Sequence, residues 1–285
     1  LPYGTIEEAF LNFIAGLELT EQSVAPAMAK SQQLIELAGR ELKVNGSFFG
    51  GPYRRGTGVP SDTLRLHLVL GSKYYYSYRE NSTKLLYFLK NRLSKFAGNA
   101  LVGEDGMVIR VKSPGVDLDL VLSIKLKSFG YLTPNGLGGW FKSNPDKEEA
   151  LFKAKDKASS GRFLQLVKVI KAWNLSAARP FDPYYLELLV YYRVNDFNKT
   201  YAELVHSLFA SMRMFLPEFL NCPAADEVIS CGAPDGVRKL VIEKAFDTTA
   251  KAINECDVDK SSILWRSLLG AEFGRSKNDS GYPAG

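Results

Sequence analysis

The chain has 285 residues, 46% of them hydrophobic and 24% charged, which suits a globular protein of one large or two modest domains. Its 36 basic and 31 acidic residues give a formal net charge of +5, mildly basic and compatible with anionic ligands such as nucleotides. Two histidines (His67, His206) and three cysteines (Cys222, Cys231, Cys256) are too few for His-rich zinc hydrolase or four-cysteine zinc sites, so any metal would be a hard cation on carboxylates, magnesium above all.

None of the three cysteines lies in C-x-x-C spacing, so idle thiols in a reducing cytosol are expected. No apolar run reaches the roughly 18 residues that span a bilayer, and no leader pattern opens the sequence. The expectation is a cytoplasmic protein with no membrane contact.

In chain order, Thr5 followed by Glu8 forms a capping box, and Phe10, Phe13, Ile14 and Leu17 share one helical face. Thr20 caps a second, longer helix to about Leu42. Pro26 lies too far inside for a free first-turn position, so a kink or a later start is expected. Gly46-Ser47 breaks that pattern, and a loop rich in Gly, Pro and Arg runs to Pro60. Residues 64–70 then alternate at period two and predict a strand, with Leu64, Leu66, Leu68 and Leu70 on one face and Arg65, His67 and Val69 on the other.

Residues 81–96 predict a helix burying Leu85, Leu86, Leu89 and Leu93, and residues 107–112 and 116–126 predict two more strands. Beyond Lys147 helical patterns dominate, over 163–173, 184–192, 202–215, 237–255 and 261–269. The tail from Gly274 reads as a loosely held end. The switch at Ser143-Asn144-Pro145 divides the chain into a mixed α/β domain (1–145) and a helical domain (146–285).

The most informative stretch for chemistry is 46–57. A Gly/Ser turn there would expose backbone N–H groups to phosphate oxygens, although neither a Walker A pattern nor G-x-G-x-x-G is present. An ordinary Gly/Pro connection accounts for it as well. Gly46-Ser47, then Arg55-Gly56-Thr57, then the alternating strand resembles the signature opening of the nucleotidyltransferase superfamily. The branch it resembles holds oligoadenylate synthases, cyclic GMP–AMP synthase and the bacterial CD-NTases. The likeness continues at Asp117-Leu118-Asp119, at Tyr131-Leu132-Thr133-Pro134-Asn135-Gly136 with Trp140, at Lys168 with Lys171-Ala172-Trp173-Asn174, and at Tyr184-Tyr185-Leu186-Glu187, over roughly residues 20–190.

That resemblance implies an α+β, two-lobed nucleotidyltransferase fold: a mixed β-sheet lobe with a long N-terminal helix, plus an all-helical lobe. It implies a nucleotide cleft between lobes, synthesis of second messengers from NTPs and a role in antiviral defence. It assigns nucleotide contacts to Gly46, Ser47, Arg55, Thr57, Lys168 and Lys171, and the third metal-binding aspartate to Asp119, a better match than Asp117. Active members place two further aspartates two residues apart on the strand after the Gly-Ser element, sharing one face and holding magnesium. Here those positions carry Arg65 and His67, replacing two anions by a cation and a neutral imidazole. Gly50-Gly51-Pro52-Tyr53 resembles an insertion. Asp182-Pro183 stands where relatives often carry Lys-Ser.

Two readings stay open. In one the protein is a degenerate nucleotidyltransferase with no metal, in which Arg65 contacts phosphate directly and His67 lines the same face. In the other, Asp117, Asp119 and Asp62 hold magnesium in an unusual geometry and catalysis survives. Partners expected are nucleotides (NTP or cyclic oligonucleotide) and a signalling-pathway protein. A scaffold working through protein or RNA contacts is a third possibility. Lys84, Lys90, Arg92 and Lys95 read as a solvated helix face or an RNA track. Tyr74, Tyr75, Tyr76 and Tyr78, beside Lys73 and Arg79, read as base-stacking residues or a flared strand end. Trp140, Trp173 and His206 read as packing residues.

Overall fold

Two hydrophobic periodicities, 2 and 3.6, build two units in the computed structural model, which describes residues 4–94, 99–103, 106–113 and 116–275. Lys95 and Phe96 of the helix expected over 81–96, and most of the expected loose tail, lie outside these residues.

The sheet unit comprises residues 19–153 with 222–227. Its helix α2 (Glu21–Glu41) is capped reciprocally by Thr20 and Ser23 and starts ahead of Pro26, so the later start is not seen. There follow β1 (Val44–Gly50), the short α3 (Gly51–Arg55), β2 (Leu64–Leu70), α4 (Lys73–Ser77), α5 (Ser82–Leu93), β3 (Asn99–Val102), β4 (Val108–Ser113), β5 (Val116–Lys125), β6 (Tyr131–Pro134) and β7 (Trp140–Ser143). The strands form one sheet in the order β1-β2-β5-β4-β3, with β6 on β5 and β7 on β6. Only β2 and β5 run parallel; the other pairs are antiparallel.

One sheet face carries Leu64, Leu66, Leu68 and Leu70 beside Leu118, Leu120, Leu122 and Ile124. It is covered by α2 through Leu34 and Ala38 and by α5 through Leu85, Leu86, Leu89 and Leu93. Each fully buried leucine contributes about 1.5–3 kcal/mol of apolar transfer, so this face orients the whole unit. The opposite face, with Arg65, His67 and Asp119, is thereby turned away from α2 and α5.

Two expectations are corrected here. The stretch after Gly46 is a strand, because β1 gains a full antiparallel ladder from β2 that its glycines did not advertise. The tyrosines after Gly71 form α4, a single helical turn rather than a strand end. Tyr74, Tyr75 and Tyr78 pack on the core, and only Tyr76 stands well exposed.

The helical unit comprises the described residues up to Glu18, Ala154–Asn221 and those from Val228 on. It holds α1 (Ile6–Gly16), the later part of α6 (Pro145–Ala158), α7 (Arg162–Ser176), α8 (Pro183–Arg193), α9 (Tyr201–Met214), α10 (Asp235–Asn254) and α11 (Val258–Leu269). A hairpin of two three-residue strands, β8 (Phe219–Asn221) and β9 (Val228–Ser230), interrupts the helices. Trp173 is buried edge-on to Phe209, as a core anchor.

The division differs from one at residue 145 at both ends. Phe10 on α1 packs edge-on against Trp265 and Phe273, with centroids 4.9 Å away in each case, and Glu7 accepts a hydrogen bond from the Tyr201 N–H. Aromatic burial therefore draws α1 to the helices. Conversely, Arg54 pairs with Asp146 and Glu149, and Arg55 with Glu148, holding the first turns of α6 to the sheet unit.

Candidate functional site

The open sheet face is organised by strand register. Arg65 on β2 pairs in register with Asp119 on β5, and Asp119 with Arg110 on β4, so three charged side chains stand side by side on one face. The Asp119 side chain is 5% exposed and accepts a hydrogen bond from Arg110 Nε at 3.0 Å, while the Arg110 side chain remains 40% exposed. Arg65 is exposed. One strand position along, Asp117 is exposed and lies in register with Lys112.

His67, two residues from Arg65 on the same face, is only 7% exposed. Its Nδ1 lies 2.9 Å from Ser123 Oγ, and its ring stacks on Phe48 at 4.5 Å. Burial, and then the Arg65 and Arg54 charges, push the imidazole down to about 3, so it is neutral near pH 7. Phe48 also carries the Arg54 guanidinium over its ring and contacts Tyr131. Burial and the Asp146 carboxylate push the Tyr131 hydroxyl up. The imidazole is thus a dry packing element with one polar contact, not a proton carrier near neutrality.

Other residues singled out from the sequence are placed differently. Gly46 and Ser47 are exposed but extended in β1, paired with Val69 and Leu68, so no phosphate-cradling turn forms there. Arg55 is buried, 2.9 Å from Glu148 and over the Phe152 ring, and Thr57 is fully buried with its hydroxyl on the Pro52 carbonyl. Both are structural in this arrangement. Asp62 accepts from the Val59 N–H and closes a turn.

In the helical unit Lys168 pairs with Glu18 at 2.5 Å and Lys171 with the fully buried Glu187 at 3.5 Å. Both ammonium groups are therefore engaged by carboxylates. Asp182 caps α8 by accepting from the Tyr185 N–H. His206 is a packing residue stacked on Phe246 and bonded to Thr249.

These positions decide how the face suits a divalent cation. A magnesium ion asks for several oxygen ligands converging on one point. Asp119 is already ion-paired, Asp117 lies in register with Lys112 and Asp62 is bound into its turn. Among the described residues no three of His, Cys, Asp and Glu come together as a metal site. The donor set on this face does not fit magnesium. Two guanidinium groups flank one carboxylate there, and the nearby imidazole is uncharged.

Arg110 was not legible as a site residue. The alternation of Ile109 and Val111 with Arg110 and Lys112 marks the face, but only the β4–β5 register brings Arg110 to Asp119.

Comparison with known proteins agrees with this architecture. No family model matches the chain. A cyclic AMP-AMP-AMP synthase of Acinetobacter sp. (strain ATCC 27244 / 9458) is 27% identical over 302 residues, covering 95% of this chain and 86% of that protein. Among solved structures, CdnC of E. coli MS115-1 with ATP superposes with a TM-score of 0.73 at 15% identity, over 94% of this chain and 99% of that one. The apo form of Vibrio cholerae DncV gives 0.68 at 9% identity, over 95% and 96%. The fold expected from the sequence resemblance is the fold observed. No described helix is long and apolar enough to cross a membrane.

Proposed function

We propose that this chain, which shares the fold of CdnC and DncV, is a CD-NTase-like nucleotidyltransferase that binds a nucleotide on the Arg65 face, serves second-messenger signalling in antiviral defence, and is catalytically impaired. The observation that carries this reading is the charge of the face. Arg65 and His67 occupy the strand positions where active relatives are expected to hold metal, and the remaining aspartate is paired with Arg110. Cations are disfavoured there and phosphates favoured. Lys168 and Lys171 reach carboxylates of the helical unit, in keeping with altered triphosphate handling.

The test is incubation of the full chain with labelled NTPs and magnesium or manganese, alongside thermal shift with ATP and GTP. Stabilisation by a nucleotide with no oligonucleotide product is expected. Any templated-free cyclic or linear product would sink the impairment, and no shift with any nucleotide would favour a scaffold.

A second reading, an active synthase of cyclic or linear oligonucleotides, is favoured by the 27% identity to a cyclic AMP-AMP-AMP synthase along nearly the whole chain. The same product assay decides between the two. CdnC is also found in a complex with a HORMA protein, and by that likeness a protein partner is part of the proposal for this chain.

A further inference from the structure

We infer that the helical unit carries a small binding site of its own, between the end of α8 and α9, for a ring-sized apolar molecule bearing one carboxylate or phosphate group. The site is independent of the nucleotide reading and uses none of the residues of the Arg65 face.

A cavity of about 140 Å³ opens where α8 stops at Arg193 and the chain runs without regular structure until Thr200 caps α9. Its floor is apolar and buried, with Val194 9% exposed and Leu204 and Leu208 2% each. Ser207 and Ser211 follow Leu204 at three and seven residues on α9 and so line the same side. The connecting loop is pinned from behind. Lys155 donates to Asn195 Oδ1 at 3.1 Å and Arg162 to the Phe197 carbonyl at 2.9 Å, so the protein's own contacts hold the wall in place. A preformed wall spares a ligand the cost of ordering it.

Charge selects the ligand. Arg193 and Lys199 line the cavity with one carboxylate, Asp196. That carboxylate accepts from the Asn198 N–H at 3.0 Å, and neighbouring Glu203 accepts from the Thr200 N–H and hydroxyl, so both acids serve local turns and caps. Among the described residues neither cation forms an ion pair. Arg193 makes one long hydrogen bond, from Nη2 to the Phe215 carbonyl at 3.4 Å, and lies over the Phe215 ring. Lys199 is exposed and makes no hydrogen bond, although Glu203 feels its charge.

A guanidinium with unused N–H groups matches the paired oxygens of a carboxylate or phosphate. An apolar cavity of ~150 Å³ holds one benzene ring, which sets the size of the body that the Val194, Leu204 and Leu208 floor accepts. The ligand is therefore small, with its apolar part on that floor and its anionic group against Arg193.

The experiment is calorimetric titration of the full chain with sodium benzoate, phenyl phosphate, sodium acetate and benzylamine. Benzoate or phenyl phosphate is expected to bind with a Kd of about 1 mM or tighter, and the tighter of the two identifies the head group. Acetate, which lacks the ring, and benzylamine, which reverses the charge, should bind at least about tenfold more weakly. Arg193→Gln should weaken the aromatic anion about tenfold, and Lys199→Gln, at an exposed position, by only about twofold. Ser207→Phe places a ring in the cavity from its open side and should abolish binding. Thermal melting confirms that each variant is folded.

Failure of both aromatic anions to bind with a Kd below about 10 mM overturns the site. So does benzylamine binding as tightly as benzoate, or unchanged affinity in Arg193→Gln.

Discussion

Arg110 and Asp119 face each other across two antiparallel strands, with Nε 3.0 Å from Oδ1, and their exposures are unequal, 40% against 5%. The pair is neither a surface ion pair nor a buried one. The carboxylate has given up most of its water, while the guanidinium keeps much of its own. Loss of the arginine therefore strands a desolvated anion, whereas loss of the aspartate leaves a cation that water still reaches.

The first prediction follows from that asymmetry. Arg110→Ala should destabilise the protein by about 1–3 kcal/mol, more than Asp119→Asn does. The double variant Arg110→Ala/Asp119→Asn should recover part of the loss. Urea denaturation of the four proteins gives the comparison, and equal costs for both single changes would contradict the assignment.

Gly50 and His67 form a second coupled pair. A Cβ at Gly50 would lie 2.4 Å from His67 Nε2 and 2.6 Å from its Cδ2, and the ring is held by the Phe48 stack and the Ser123 hydroxyl. Gly50→Ala should cost about 1–3 kcal/mol by overpacking. In a His67→Ala background the same change should cost little, because the obstructing ring is gone. A double-mutant cycle with no coupling would show that the imidazole is free to move aside.

His67 also sets a pH dependence. Its ordinary value is 6.5 and the folded protein holds it at about 3. Between these values the unfolded chain binds a proton that the folded chain refuses, so stability falls as pH drops from about 6.5 towards 3. His67→Gln should flatten the decline in melting temperature between pH 7 and pH 5. His206, whose pKa burial also lowers, contributes in the same sense to both proteins and cancels in the difference. Parallel declines in wild type and variant would rule out His67 as the source.

Arg55 offers a test of structural against ligand-binding duty. Its pairing with Glu148 is largely buried, with side chains 7% and 12% exposed. Arg55→Ala should destabilise by about 3 kcal/mol, with Glu148→Gln costing less and the double variant less than the sum. Chemical denaturation measures this, and an undiminished midpoint in Arg55→Ala would mean the pair is not formed.

The thiols give a fourth check on packing. Cys222 and Cys231 are buried and Cys256 is exposed, and none of the three is in a disulfide. A thiol reagent should label one site in the native protein and all three after unfolding. Rapid native labelling of Cys231, which lies against the Arg238 guanidinium, would show that the β8–β9 region opens readily.

Much of the architecture was legible because it is local. The Thr5 capping box, the Leu64–Leu70 alternation and the helices from α7 to α11 all follow from periods and caps that span a few residues. β1 was not legible, since Gly46, Ser47 and Gly50 weigh against a strand until β2 supplies the ladder. Nor did charge alone distinguish Arg55, Lys168 and Lys171 from ligand-binding cations. Their partners Glu148, Glu18 and Glu187 lie 93, 150 and 16 residues away in the chain, respectively.

By itself the sequence determined that carboxylates were the only metal chemistry open to this protein, and that Arg65 and His67 share a strand face where such carboxylates are expected. Period two decides the shared face, because successive side chains must alternate, and the family resemblance supplies the expectation of carboxylates there. Tertiary structure alone decided what the face became. The parallel pairing of β2 with β5, and the antiparallel pairing of β5 with β4, set Arg65 and Arg110 on either side of Asp119. The β2–β5 register joins Arg65 to a residue far along the chain and is fixed by how the leucine face packs under α2 and α5, which no local pattern encodes.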